Sequence, residues 1–181
     1  TYQRSSVAVE GNVGDRRFYS RYYPRRLKAE VLLDAVSQVT GVPTEFKDRA
    51  QGTRALQLPD SSIDSYFLST FGRPERIITC ECERTDEPSV TQVLHLYNGS
   101  TVNDKLRSKE GRIEYLFTGK VAAVDAVRGA YMEALSREPT ELELERLTEI
   151  IQSDDSAEQR RLVLEDLYWS LLTSKEFIFN H

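Results

Sequence analysis

The string TCECERTDEPSVTQVLHLYNG, residues 79–99, holds Cys80, Cys82 and His95, three side chains able to bind a soft metal or act as nucleophiles. Their spacing argues against a metal. A zinc finger separates its cysteines by about two to four residues and places a second histidine about three to five after the first. Here one residue separates the cysteines, and LYNGST follows His95 with no second histidine. The chain has 2 Cys and 2 His, so a closed Cys2His2 site would need His181. CECER is not the C-x-x-C-H of covalent haem attachment. Neither a metal nor a haem is therefore expected in this segment. A bridge between Cys80 and Cys82 would be strained, since alternate residues of an extended chain point to opposite faces. Arg84 would favour a thiolate, which leaves a reactive cysteine open. The favoured reading packs both cysteines as small apolar groups, with Glu81, Glu83 and Arg84 in polar contacts. His95 sits on an otherwise apolar helix and reads as a hydrogen-bonded structural residue.

A second group of candidates lies in RFYSRYYPRR, where Arg21, Arg25 and Arg26 alternate with Tyr22 and Tyr23, and Glu30 follows. Guanidiniums beside aromatic rings can stack on a sugar or hold a sulfate or carboxylate. The plainer alternative packs the aromatics on the core and pairs the arginines with carboxylates. Acids dominate residues 138–158, yet the chain as a whole carries only −5. That balance lacks the basic excess of a nucleic-acid module. Gly11 and Gly14 make no dinucleotide fingerprint, and there is no P-loop, no G-x-S-x-G elbow and no H-E-x-x-H helix.

The elements that must position these residues are helices. Pro24 suits a first helical position, Leu27, Val31, Ala35 and Val39 repeat with helical period, and Gly41 suits the stop. The pattern predicts a helix over 24–41, with Arg25 and Arg26 at the wrong end of its dipole. Residues 42–61 read as a long loop with an extended piece in TRALQLPD, followed by a short helix capped by Ser61 or Ser62. IITCEC is the best strand candidate. From Ser89 a helix ends at Asn98-Gly99, with Val90, Val93, Leu94 and Tyr97 on one face. Thr101 is expected to cap the next. Further helices are expected over 112–118, over 121–136 with Val121, Val124, Val127, Tyr131 and Leu135 inward, from Thr140 with Glu143 closing a capping box, and over about 156–173. Leu142, Leu147, Ile150 and Ile151 are expected to face the core. The fold class is all-α: an irregular multi-helix domain with long loops and an extended N-terminal arm over 1–23, whose aromatics pack back on a body over 24–181. Such a chain, starting at Thr1 and with 1 Met, reads as a segment cut from something longer. No apolar run approaches the roughly 18 residues of a membrane span.

The strings YSRYYPRRLKAEVLLDAVSQVTGVP, GTRALQLPD, FGRPERIITCECERTDEPSVTQVLHLYNG, LSREPTELE and DLYWSLLTSKEFIFNH, in this order, closely resemble the planctomycete-type PSD domain, a family of unknown function. The resemblance implies a setting more than a chemistry. Such domains stand at the C-terminal end of large bacterial proteins, downstream of a companion domain, and many of those proteins carry a c-type cytochrome domain. It implies export to the periplasm or cell surface, with any c-type haem elsewhere in the full-length protein. Tyr97 and Tyr168 depart from the aliphatic and smaller residues that the resemblance leads one to expect.

The leading expectation is an interaction domain that docks on its companion through the RYYPRR and CECER segments. The rival places Arg21, Arg25 and Arg26 around an acidic or sulfated polysaccharide, with Glu30 or Glu83 transferring a proton. A purely structural scaffold is the third reading.

Overall fold

The computed structural model describes residues 5–15, 17–59, 63–73, 89–153 and 156–180. Helix α1 (Ala29–Thr40) runs through the middle of the molecule, with Leu32, Leu33 and Val36 fully buried. Gly41 ends it in the left-handed conformation at φ 71, where a side chain would be strained. The helix starts five residues later than its sequence pattern suggests. Residues Arg25–Arg26 form a short strand, β1, paired antiparallel with β2 (Phe179–Asn180), Arg25 opposite Asn180 and Arg26 opposite Phe179. The Leu27 N–H continues the contact to the Ile178 carbonyl at 2.9 Å. Hydrogen bonds to the far end of the chain thus replace helical ones. Arg25 and Arg26 never meet the helix dipole; Glu30 occupies the first turn instead, with the favourable sign.

The loop after α1 folds back onto it. Phe46, Ala55 and Leu58 are buried. Ala55–Gln57 is a 3-10 turn where an extended piece was expected. Asp34 of α1 caps this turn, accepting from the Ala55 and Leu56 N–H groups at 2.7 and 3.2 Å. The next helix, α2 (Tyr66–Thr70), is capped by Ser65. The expected cap at Ser61 or Ser62 and the strand candidate IITCEC lie outside the described residues.

Helices α3 (Val90–Asn98), α4 (Ser100–Arg107), α5 (Arg112–Thr118), α6 (Ala123–Leu135), α7 (Glu141–Ser153) and α8 (Ala157–Leu172) complete most of the body. The short α9 (Lys175–Ile178) leads into β2. Helix α8 packs on α4, α5, α6 and α7, and α1 packs on α2, α4, α5 and α6. Val102, Val127, Tyr168 and Leu172 join the residues of α1 in one continuous core. The all-α expectation holds; β1–β2 is the sheet among the described residues. Several faces differ from expectation. On α7 Ile151 is buried and Leu147 half-buried, but Leu142 and Ile150 are exposed. On α6 Val127 and Tyr131 point inward, while Val121, Val124 and Leu135 are half-buried. Gly99, not Thr101, precedes α4.

Two cation-centred contacts tie these helices together. At the C-terminal end of α1, buried Lys105 donates to the Val42 carbonyl at 2.7 Å and Arg112 Nε to the Val39 carbonyl at 2.9 Å, while Arg112 also pairs with Glu133. Burial pulls Lys105 down to about 8. In the second contact, Arg137 bonds both Glu143 and Glu176 and lies over the Tyr131 ring at 5.0 Å. Glu143 also closes the expected capping box with Thr140, N–H to carboxylate at 2.7 Å. Hydrogen bonds from Arg137 and Thr140 hold its carboxyl down at about 2, against an ordinary 4.5.

Arg112→Ala leaves the Val39 carbonyl and Glu133 without this partner, and a loss of about 2 kcal/mol is expected in urea unfolding at neutral pH. A loss within error of zero would show that water replaces the guanidinium at no cost. The Glu143 shift carries a sign. Its folded pKa is depressed, so its contribution is complete above pH 4.5 and disappears as pH falls towards 2. The acid limb of the stability curve is therefore expected to flatten over that window in Glu143→Gln. An unchanged limb in the variant counts against the contact.

Candidate functional site

The residues singled out in the sequence divide into three groups. Arg21, Tyr22 and Tyr23 hold the arm to itself. The Arg21 guanidinium donates to the Ser6 carbonyl at 3.1 Å and lies over the Tyr23 ring at 4.7 Å. The Tyr23 hydroxyl donates to the Asp15 carbonyl, and the Tyr22 N–H to the Ser5 carbonyl at 2.9 Å. The Asp15 carboxylate accepts from the Ser20 hydroxyl and from the N–H groups of Phe18, Arg17 and Ser20, which hold it well below the usual carboxylate range. The expectation that the arm's aromatics pack inward holds only for the half-buried Tyr22 and Tyr23; Phe18 and Tyr19 are exposed. A turn nucleated by one aspartate can close locally, with the Tyr19 ring edge-on to Tyr23 at 6.2 Å rather than on the core.

Arg26, Glu30 and His95 come together around a shelf of aromatic rings. Phe67 and Phe71 stack at 4.3 Å between centroids. The Arg26 guanidinium lies 5.3 Å from the Phe71 centroid and donates to the Phe71 carbonyl at 3.1 Å. His95 meets Tyr66, Phe67 and Phe71 edge-on, at 5.1, 5.5 and 6.2 Å. Its Nε2 lies 3.0 Å from the Thr101 hydroxyl, which takes Thr101 away from the capping role expected of it. Beside the shelf, Glu30 pairs with Arg73 at 3.7 Å, both side chains nearly buried. Gly99 lets this corner close: a Cβ there would fall 2.2 Å from the His95 carbonyl oxygen. His95 is thus the hydrogen-bonded core histidine its apolar helix suggested. Phe67, Phe71 and Arg73 were not singled out from the sequence, although FLSTFGR carries the i, i+4 aromatic spacing that stacks them.

Arg25 stands apart. Its backbone N–H is fixed by the Asn180 side chain at 3.1 Å, its guanidinium is exposed, and it makes no ion pair among the described residues. It borders an open hollow of about 690 Å³ lined by Pro24, Lys28, Val31, Phe179 and Asn180 among others. No carboxylate lines it among the described residues. Lys28 and the β2 residues were not named as site candidates, since the sequence gives no sign that residues 179–180 reach the arm. Cys80, Glu81, Cys82, Glu83 and Arg84 lie outside the described residues. No group of three or more potential metal ligands occurs among the described residues, and no described helix is long and apolar enough to cross a membrane.

A family model, PSD1, described as a protein of unknown function (DUF1553), matches residues 1–151. The chain belongs to this family. The match ends inside α7, whereas the core of this PSD1 domain continues through Leu164, Leu167, Tyr168 and Leu172 of α8. Neither a curated protein nor a solved structure matches the chain.

Burial lowers the His95 pKa from 6.5, so the imidazole is neutral at pH 7. The unfolded chain then binds the proton first, and the stability due to the neutral ring is full above pH 6.5 and declines as pH falls below it. In a proton NMR titration the His95 ring, assigned by its loss in His95→Gln, is expected to titrate below 6.5. A midpoint at or above that value would contradict the buried, neutral role.

Proposed function

We propose that this PSD1 domain is a docking module of an exported, multidomain protein associated with a c-type cytochrome, acting at the periplasmic or cell-surface side and bound to a companion domain of the same polypeptide. The observation that carries this reading is the hollow between β1, β2 and the start of α1. It presents the exposed Arg25 on backbone held by strand pairing, with no carboxylate lining the hollow among the described residues. A cation on a fixed frame suits the capture of an acidic segment, and guanidinium geometry favours carboxylates or sulfates. Of the RYYPRR segment, this leaves Arg25 as the contact residue, since Arg21 and Arg26 are engaged within the domain.

The second reading puts an acidic or sulfated polysaccharide in the same hollow. It is supported by the size of the space and by Phe179 in its wall, a ring against which a sugar could lie. For this reading binding is better supported than hydrolysis, because Glu30 is held in its pair with Arg73.

Arg25→Glu combined with Lys28→Glu, in a domain shown to be folded by circular dichroism, separates the readings. Docking through the hollow predicts that affinity for the upstream part of the polypeptide falls about tenfold or more, and that wild-type binding weakens with salt. Unaltered affinity would remove the hollow as the surface. Retention of the wild type, but not the variant, on immobilised heparin would favour the polysaccharide reading.

A further inference from the structure

Helix α3 is packed with its apolar side outward. Its buried residues are Gln92, His95 and Leu96. Gln92 donates to the Thr70 carbonyl at 3.1 Å and His95 rests on the aromatic shelf. On the opposite side, at the i, i+3, i+4, i+7 spacing of one helical stripe, Val90, Val93, Leu94 and Tyr97 are 75%, 53%, 55% and 44% exposed. The sequence pattern groups these four on one face without fixing which way it points. The structure buries the polar-bearing side, because Gln92 and His95 find partners there that Val90 and Leu94 would not.

An outward stripe of four large apolar side chains costs solvation unless something covers it. The surroundings indicate what. Residues 89–103 contain no Asp, Glu, Lys or Arg, although 29% of the chain is charged. Depletion of charge at the centre of a patch is the compositional mark of an interface core. The stripe then continues into its own counterpart. Tyr97 meets Trp169 of α8 edge-on at 5.4 Å, and Trp169 borders a hollow of about 220 Å³ shared with Asn103, Leu106, Arg107, Asp166 and Glu165, the last already bonded to Arg161. One face therefore carries a protruding apolar ridge, an adjacent recess on the scale of one large side chain, and a rim with both charge signs. A twofold pairing needs this combination: each copy supplies the ridge and the recess, and each rim offers Arg107 and Asp166 to its mate. A chain carrying −5 overall would repel its copy through most other faces.

We propose that the α3 stripe, with the Trp169 recess, is a self-association surface that pairs two copies of this chain. The helix is only nine residues long, about 13 Å at 1.5 Å per residue. The contact is accordingly small and the dimer weak, forming at high local concentration.

Sedimentation velocity of the 181-residue chain over about two decades of concentration tests this. The expected result is a reversible shift from monomer to dimer. Leu94→Asp is expected to weaken the dimer at least tenfold, with an unchanged far-ultraviolet circular dichroism spectrum because the side chain is solvent-facing. Leu142→Asp, at an equally exposed apolar position on α7, should leave the dimer intact. A chain that stays monomeric throughout overturns the proposal, and so does a dimer insensitive to Leu94→Asp. In the monomeric case, loss of binding to the upstream polypeptide in Leu94→Asp would assign the stripe to a different protein surface.

Discussion

The position of α1 depends on how its C-terminal end is satisfied. A buried helix ending leaves carbonyls without intrahelical partners and a partial negative charge in a poorly solvated place. The last turn of α1 has no basic residue of its own. From more than sixty residues away, Arg112 of α5 supplies a donor to the Val39 carbonyl of the last turn, and Lys105 of α4 one to the Val42 carbonyl just beyond the helix. Because Arg112 also holds Glu133 of α6, a single guanidinium fixes three helices against each other. Packing of the apolar core can then proceed around an axis whose polar end is closed. The low pKa of Lys105 reflects how far from water this closure lies.

Much of the helical content was legible in the sequence, and the reasons are local. Gly41 stops α1 as its position suggests, α3 begins after Ser89, Thr140 caps where its spacing to Glu143 says it should, and residues 112–118 form the short helix expected of them. What was not legible depends on partners distant in the chain. Pro24 and the following apolar period favour an early helix start, but pairing with residues 179–180 overrides that preference. The orientation of α3 could not be read from periodicity, because hydrophobic spacing shows that a face exists and not which way it points. For the candidate site, a buried role for His95 followed from its neighbours. The division of labour among Arg21, Arg25 and Arg26 did not, since the three have the same chemistry and differ only in what lies opposite them.

The candidate docking hollow bridges two parts of the chain with different standing in the family. Arg25 and Lys28 lie within the residues matched by the PSD1 model, whereas Phe179 and Asn180 lie beyond them. The same holds for the core, where α8 supplies Tyr168 and Leu172 to residues within the match. The matched segment alone would therefore expose the faces of α4, α5 and α6 that α8 covers. The C-terminal helices belong to the folding unit on physical grounds.

The strand pairing of Arg25–Arg26 with Phe179–Asn180 also sets an order in time. A chain made from its N-terminus forms local helices as they emerge, but β1 waits for its partner until synthesis has passed residue 180. Until then Arg25 has no fixed frame and the hollow lacks one wall. The hollow is thereby completed only once residues 179–180 have been made: a chain that stops short of them carries the same arginine without the shape that presents it.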